Sequence, residues 1–164
     1  MPQVVYTEAD FEELNWHDCQ VWGFELRVDD YDEEVNPSPV SDLLLKIDYI
    51  TEWLCGTDGH CHFMIAPATL VFHDVSNLSM NMDFGYDAGY RLAPQAPDIY
   101  DIRRESPPEK DALWFHWTLE LRTYSKSGSI TFDAARFTQT VFGRPIHCEG
   151  QRLTVADRDR MMGR

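Results

Sequence analysis

Period-two alternation of apolar and polar residues, recurring in segment after segment and cut by turn-forming residues, constrains this chain more than any other feature. Residues 43–54 show it most clearly. Leu43, Leu45, Ile47, Tyr49 and Trp53 share one parity, while Lys46, Asp48 and Glu52 share the other. Successive side chains of a strand point to opposite faces, so this pattern predicts a strand with one face in the core and one in water. Residues 16–28 repeat it, with Trp16, Trp22, Phe24, Leu26 and Val28 opposed to His17, Glu25 and Arg27. Residues 112–124 do so again, with Leu113, Phe115, Trp117, Leu119 and Leu121 opposed to His116, Glu120 and Arg122. Residues 78–84 alternate as well.

The glycine-bracketed turn at Gly56 and Gly59 predicts a hairpin that joins residues 43–54 to 60–72. The second of these strands is apolar on both parities, and its Pro67 cannot donate to a ladder, which requires a bulge or an edge. Residues 129–133, 136–142 and 146–153 read as further short strands. Thr7 ahead of Phe11 and Leu14, and Thr154 with Asp157 three residues later, read as helix starts. The expected fold is mainly β: an antiparallel sandwich or a strongly curved sheet of about seven to eight strands, with a short helix near each terminus.

The 164 residues suit a single domain and carry no repeat of solenoid or propeller length. Residues 85–111 hold Pro94, Pro97, Pro107 and Pro108 without sustained periodicity, and are expected to form a long functional loop or lid. The four cysteines lack CxxC spacing and are expected to be free thiols. There is no apolar run of membrane-span length, and residues 1–15 are acidic rather than signal-like, so the expectation is a cytoplasmic protein without a membrane.

The charge is unevenly placed. Residues 1–60 hold fifteen acidic residues against Arg27 and Lys46 alone, so the first third carries nearly all of the net charge of −14. Such a field repels nucleic acid and anionic membranes and attracts a basic protein surface. Asp29, Asp30, Asp32, Glu33 and Glu34 are its densest run and the candidate partner-binding residues. The same run lacks the glycine and the distal glutamate of a calcium loop, so a solvated acidic loop accounts for it better.

His60 and His62 would point the same way on a strand and are candidate metal ligands, with Asp48 or Cys55 as a third. His17, Asp18 and Cys19 place base, acid and thiol in a row, but neighbours on a strand face opposite ways and make no relay unaided. His116, Glu120 and Arg122 would share a face, as would Lys46, Asp48 and Glu52. Were their strands adjacent, the two sets would form a polar concavity or a cross-strand charge network. No phosphate-cradling loop, nucleophile elbow or zincin helix is present, no cofactor is expected, and catalysis is left open.

Trp16-His17-Asp18-Cys19 within residues 14–19, Ile47-Asp48-Tyr49-Ile50-Thr51-Glu52-Trp53 within 45–53, and Ala66-Pro67-Ala68-Thr69-Leu70-Val71-Phe72 together resemble a family of small uncharacterised bacterial proteins over most of the chain. The resemblance implies a bacterial origin and assigns no activity, cofactor or catalytic residue. By looser analogy, a small acidic β protein looks like the immunity proteins that neutralise secreted toxins. The expected function is therefore a non-enzymatic protein-binding module of immunity type, using the acidic first third. The alternative is a metal- or small-ligand-binding domain, with or without enzymatic activity, with a site near His60 and His62, joined by Asp48 or His116, under residues 85–111. A structural part of a larger assembly is the third reading.

Overall fold

The strongest alternating stretch becomes the longest strand of a computed structural model that describes residues 3–30, 32–35, 37–84, 95–109, 112–124 and 126–164. In chain order the elements are β1 (Gln3–Thr7), a 3-10 helix (Glu8–Glu13), β2 (Gln20–Val28), β3 (Ser41–Cys55), β4 (Cys61–His73), β5 (Ser76–Asn81), β6 (Asp98–Glu105), β7 (Phe115–Arg122), β8 (Ser127–Ala134), β9 (Arg136–Phe142), β10 (Ile146–Cys148) and α1 (Val155–Met162). All pairings are antiparallel, in the order β1-β9-β4-β3-β2-β6-β7-β8-β5, with β10 beside the first part of β4. The fold is one ten-stranded sheet whose two ends do not pair among the described residues.

That order explains the shape. Phe72 of β4 meets Trp117 of β7 at 5.0 Å and Phe132 of β8 at 4.7 Å between ring centroids. Three strands separate β4 from β7 in the sheet, so contact between their side chains requires the sheet to curl until its inner face closes on itself. Leu43, Leu45, Ile47 and Leu70 from one half, with Leu119 and Ile130 from the other, fill the space between. Phe11 of the 3-10 helix closes one end, packing on Trp16 and Trp117 at 5.6 Å from each.

Bulges account for most departures from the expected pattern. In β2 the register shifts between Val21 and Gly23, so Val21 faces inward opposite Ile47, and beyond the bulge Phe24 is aligned with Leu45. The expected single-parity face therefore breaks at Trp22. The expected long loop at 85–111 contains β6, whose inward Ile99 and Ile102 are three apart because the register shifts between Ile99 and Asp101. A bulge hides a strand from period-two reading. Residues 85–94, 110 and 111 of that segment lie outside the described residues. Pro67 sits where the outer edge of β4 passes from β10, on Phe63–Ile65, to β9, on Ala68–His73, so neither neighbour needs its missing donor.

Asp48 departs furthest from expectation, being fully buried on the face expected to meet water. The C-terminal segment covers it. Arg158 of α1 grips its carboxylate through Nε and Nη2, both at 2.7 Å, and the Leu153 backbone N–H donates at 2.9 Å. Arg158 Nη2 also donates to Gln20 of β2, so one guanidinium ties two strands to the helix. α1 begins as expected: the Asp157 N–H donates to Thr154 Oγ1, and Gly163 ends the helix in the left-handed conformation at φ 74°.

The expectation of four free thiols is corrected. Cys55 and Cys61 face each other across the mouth of the β3–β4 hairpin with Cα atoms 4.0 Å apart, and they form a disulfide. Their spacing gave no sign of this, because the pairing follows from strand register. Cys19 is buried and free, with its thiol pushed up to about 12 by burial, and the Cys148 thiol is raised by the same cause.

Two measurements check this account. Thiol titration of the denatured, unreduced protein should return two thiols, rising to four after reduction, while native Cys19 resists alkylation at neutral pH. Arg158→Met should lower unfolding stability by about 3 kcal/mol or more in urea titration, since it leaves the Asp48 carboxylate buried without its counter-ion.

Candidate functional site

The residues expected to hold a metal do not come together. The backbone of His60 closes the hairpin turn, accepting from Gly56 and donating to Asp58. His62 lies opposite Leu54 and stacks on His147 of β10 at 5.0 Å. Asp48 pairs with Pro67 in register, about 16 Å along β4 from His62 at the usual rise per residue, and is taken up by Arg158. The Cys55 sulfur is in the disulfide, and His116 is bonded to Asp133 at 2.8 Å. Among the described residues no group of three or more His, Cys, Asp or Glu is placed to hold an ion. β3 and β7 are not neighbours either, so the expected polar concavity resolves into separate cross-strand pairs, Glu120 with Arg103 of β6 and His116 with Asp133 of β8.

The acidic run forms the tip of the β2–β3 hairpin. The Asp29 N–H donates to the Val40 carbonyl at 3.0 Å, and Asp32 Oδ1 accepts from both the Glu34 and Val35 N–H groups at 2.9 Å. The Asp32 side chain thus shapes the turn that presents Asp29, Asp30, Glu33 and Glu34, all of them exposed. Next to them lies a feature that alternation alone did not reveal. Phe24, Leu26 and Val28 align with the inner face of β3 yet are 51%, 48% and 59% exposed. β2 pairs with β6 at Gln20, and the Val21 N–H donates to the Pro97 carbonyl at 2.8 Å; beyond that point no strand among the described residues pairs with this side of β2, which carries an apolar stripe.

A second site lies where β2 and β6 separate. The Trp16–Cys19 turn, closed by the Cys19 N–H on the Trp16 carbonyl, holds Asp18 at φ 63°, a region that non-glycine residues rarely occupy. The turn defeats the strand geometry expected here and brings His17 and Asp18 together, with His17 Nε2 3.5 Å from Asp18 Oδ1. His17 Nδ1 donates to the Tyr100 carbonyl at 2.8 Å. Three consecutive residues then each reach a different aspartate: Gln151 donates to Asp18 at 2.8 Å, Arg152 lies 3.5 Å from Asp98, and Leu153 donates to Asp48.

His17, Asp18, Asp98 and Arg152 line a cleft of about 450 Å³, together with Tyr100, Arg122 and Tyr124. Burial raises the Asp98 carboxyl above the ordinary range, Arg152 pulls it back, and Asp18 and Asp48 add to the rise. Sequence reasoning singled out His17 and Asp18, and Arg122 in a different grouping with His116 and Glu120, but not Asp98 or Arg152, because these residues come from separate segments that only the fold unites.

Comparison with protein-family models, with curated proteins and with solved structures finds no match.

The raised Asp98 carboxyl fixes the sign of a pH effect. Ionising it penalises the folded state, and the penalty grows as pH rises from the unfolded value near 3.8 and is fully present at neutrality. Asp98→Asn should therefore melt at a higher temperature than the parent at pH 7, with the gain fading as pH falls below 4 in a calorimetric series.

Proposed function

We propose that this chain is a protein-binding module that takes an extended basic segment of another protein along the open edge of β2. The observation that carries the reading is the join between two features: the half-exposed stripe Phe24, Leu26 and Val28 runs directly into the exposed carboxylates of the hairpin tip. An edge strand offers backbone N–H and C=O groups to an incoming strand, which supplies affinity without sequence preference. Alternate apolar side chains on that strand would cover Phe24 and Leu26, and its basic residues would meet Asp29, Asp30, Glu33 and Glu34. The charge speeds encounter and sets orientation, while the apolar stripe holds the complex together.

A second copy of the chain fits this edge poorly, because both molecules would carry a net charge of −14 and repel each other. The biological form we favour is the immunity type, in which the acidic edge masks a basic toxin.

The test is to capture a partner from host extract at low salt, purify it, and measure association and dissociation with three forms of the protein. The first is the parent. The second carries Asp29→Asn, Asp30→Asn, Asp32→Asn, Glu33→Gln and Glu34→Gln, in which residue 32 keeps an oxygen for the turn. The third carries Phe24→Ser with Leu26→Ser. Neutralising the tip should slow association about tenfold at low salt with little effect on dissociation. The serine pair should speed dissociation by a similar factor, about 1.4 kcal/mol. A purified partner that binds all three forms alike removes β2 and its acidic tip from the function.

A further inference from the structure

We infer that the cleft between the His17–Asp18 turn and β6 is a binding site for a small zwitterion of the α-amino acid class, with its carboxylate on Arg122 and its ammonium between Asp18 and Asp98. This site is separate from the β2 edge proposed above and does not depend on it.

Arg122 provides the anchor. Its guanidinium carbon lies 3.1 Å from the centroid of the Tyr100 ring, so the plane is stacked in place and the N–H edges are left to hydrogen-bond. Among the described residues no carboxylate lies within ion-pair distance of Arg122, although Asp98 sits directly opposite it in the β6–β7 register. A planar cation held on a ring, with its donors unspent, matches the two oxygens of a carboxylate.

The opposite lining is acidic. Asp18 and Asp98 face the same cleft, and each is only partly satisfied: Asp18 by Gln151 on one oxygen with His17 Nε2 3.5 Å from the other, Asp98 by Arg152 at 3.5 Å. A dianion such as a phosphate ester would meet two carboxylates here, and a simple cation would leave Arg122 without an anion. One molecule that carries both signs satisfies both walls and leaves the charge of the cleft unchanged. The cavity of about 450 Å³ lies within the size range of small-molecule sites and accommodates an amino acid with its side chain.

The backbone supports the assignment. Asp18 is held at φ 63°, and Asp98 is kept in a place that burial disfavours for a carboxylate. The Asp18 N–H donates to the Ile99 carbonyl at 2.8 Å and the Ile99 N–H to the Cys19 carbonyl at 2.9 Å, so the backbone of the turn serves the sheet while the Asp18 and Asp98 side chains are left facing the cleft. A carboxylate kept where burial disfavours it is expected where a ligand will later supply the missing partner.

The experiment uses the full chain and the twenty free α-amino acids, tested singly at up to 10 mM, with the Arg122 side-chain Nε–H and the Asp98 carboxyl carbon followed by NMR. At least one amino acid should shift both signals in a saturable way. The matching amine without its carboxylate, and the matching acid without its amine, should each bind at least tenfold more weakly. Arg122→Lys keeps the charge but not the planar fork and should weaken binding about tenfold. Asp98→Asn, a variant expected to fold more stably than the parent, should weaken it by at least as much. The assignment is overturned if no amino acid moves either signal, if the acid alone binds as well as its amino acid, or if folded Arg122→Lys and Asp98→Asn bind as the parent does.

Discussion

A single sheet has to bury its own inner face, and nearly everything else in this protein follows from that constraint. Among the described residues no second layer covers it: α1 lies over Asp48, and the 3-10 helix caps only an end. Phe72, Trp117, Phe132 and Phe137 do the work of a second layer by meeting across the interior, mostly edge-on, with Trp117 and Phe132 stacked. The curl that brings them together has to be tight somewhere. At the junction of β2 and β6 the ladder shrinks to a few bonds.

Both candidate sites are products of that junction. As β2 leaves β6 on one side, its apolar side chains lose their cover and its edge opens beside the acidic tip. The first strand-to-strand bonds at Cys19 and Ile99 hold the His17–Asp18 turn above the start of β6, and the wedge between them is the polar cleft. An exposed edge and a concave pocket are thus two sides of one structural event. In a flat sheet or a closed barrel neither would exist.

The sequence carried the fold class and most of the strands, because burial on one face writes itself directly into alternation. Leu43, Leu45 and Ile47, and Trp117, Leu119 and Leu121, sit in the core as their parity required. Bulges were illegible: one extra residue at Trp22 or Tyr100 reverses parity, and no residue type marks it as glycine marks a turn. Asp48 misled for another reason. A carboxylate between apolar residues looks like the wet face of a strand, and only Arg158, far away in sequence, shows that it is buried. The acidic tip was legible as charge, whereas its alliance with Phe24 and Leu26 was not, since those side chains have the pattern of core residues. The cleft was invisible because its charged walls come from four separate stretches of chain.

The Asp48–Arg158 pair also bears on how the chain can come to be folded during synthesis. Its two members are 110 residues apart, and the carboxylate stands in the middle of the longest strand. Until the last helix has been made, that strand must hold an ion in its centre with nothing to neutralise it, while β4 still lacks β9 and β10 along its outer edge. The hairpin of β3 and β4 can form early, but it cannot be packed away early. A growing chain of this kind keeps the centre of that strand open to water until α1 is available to close over it.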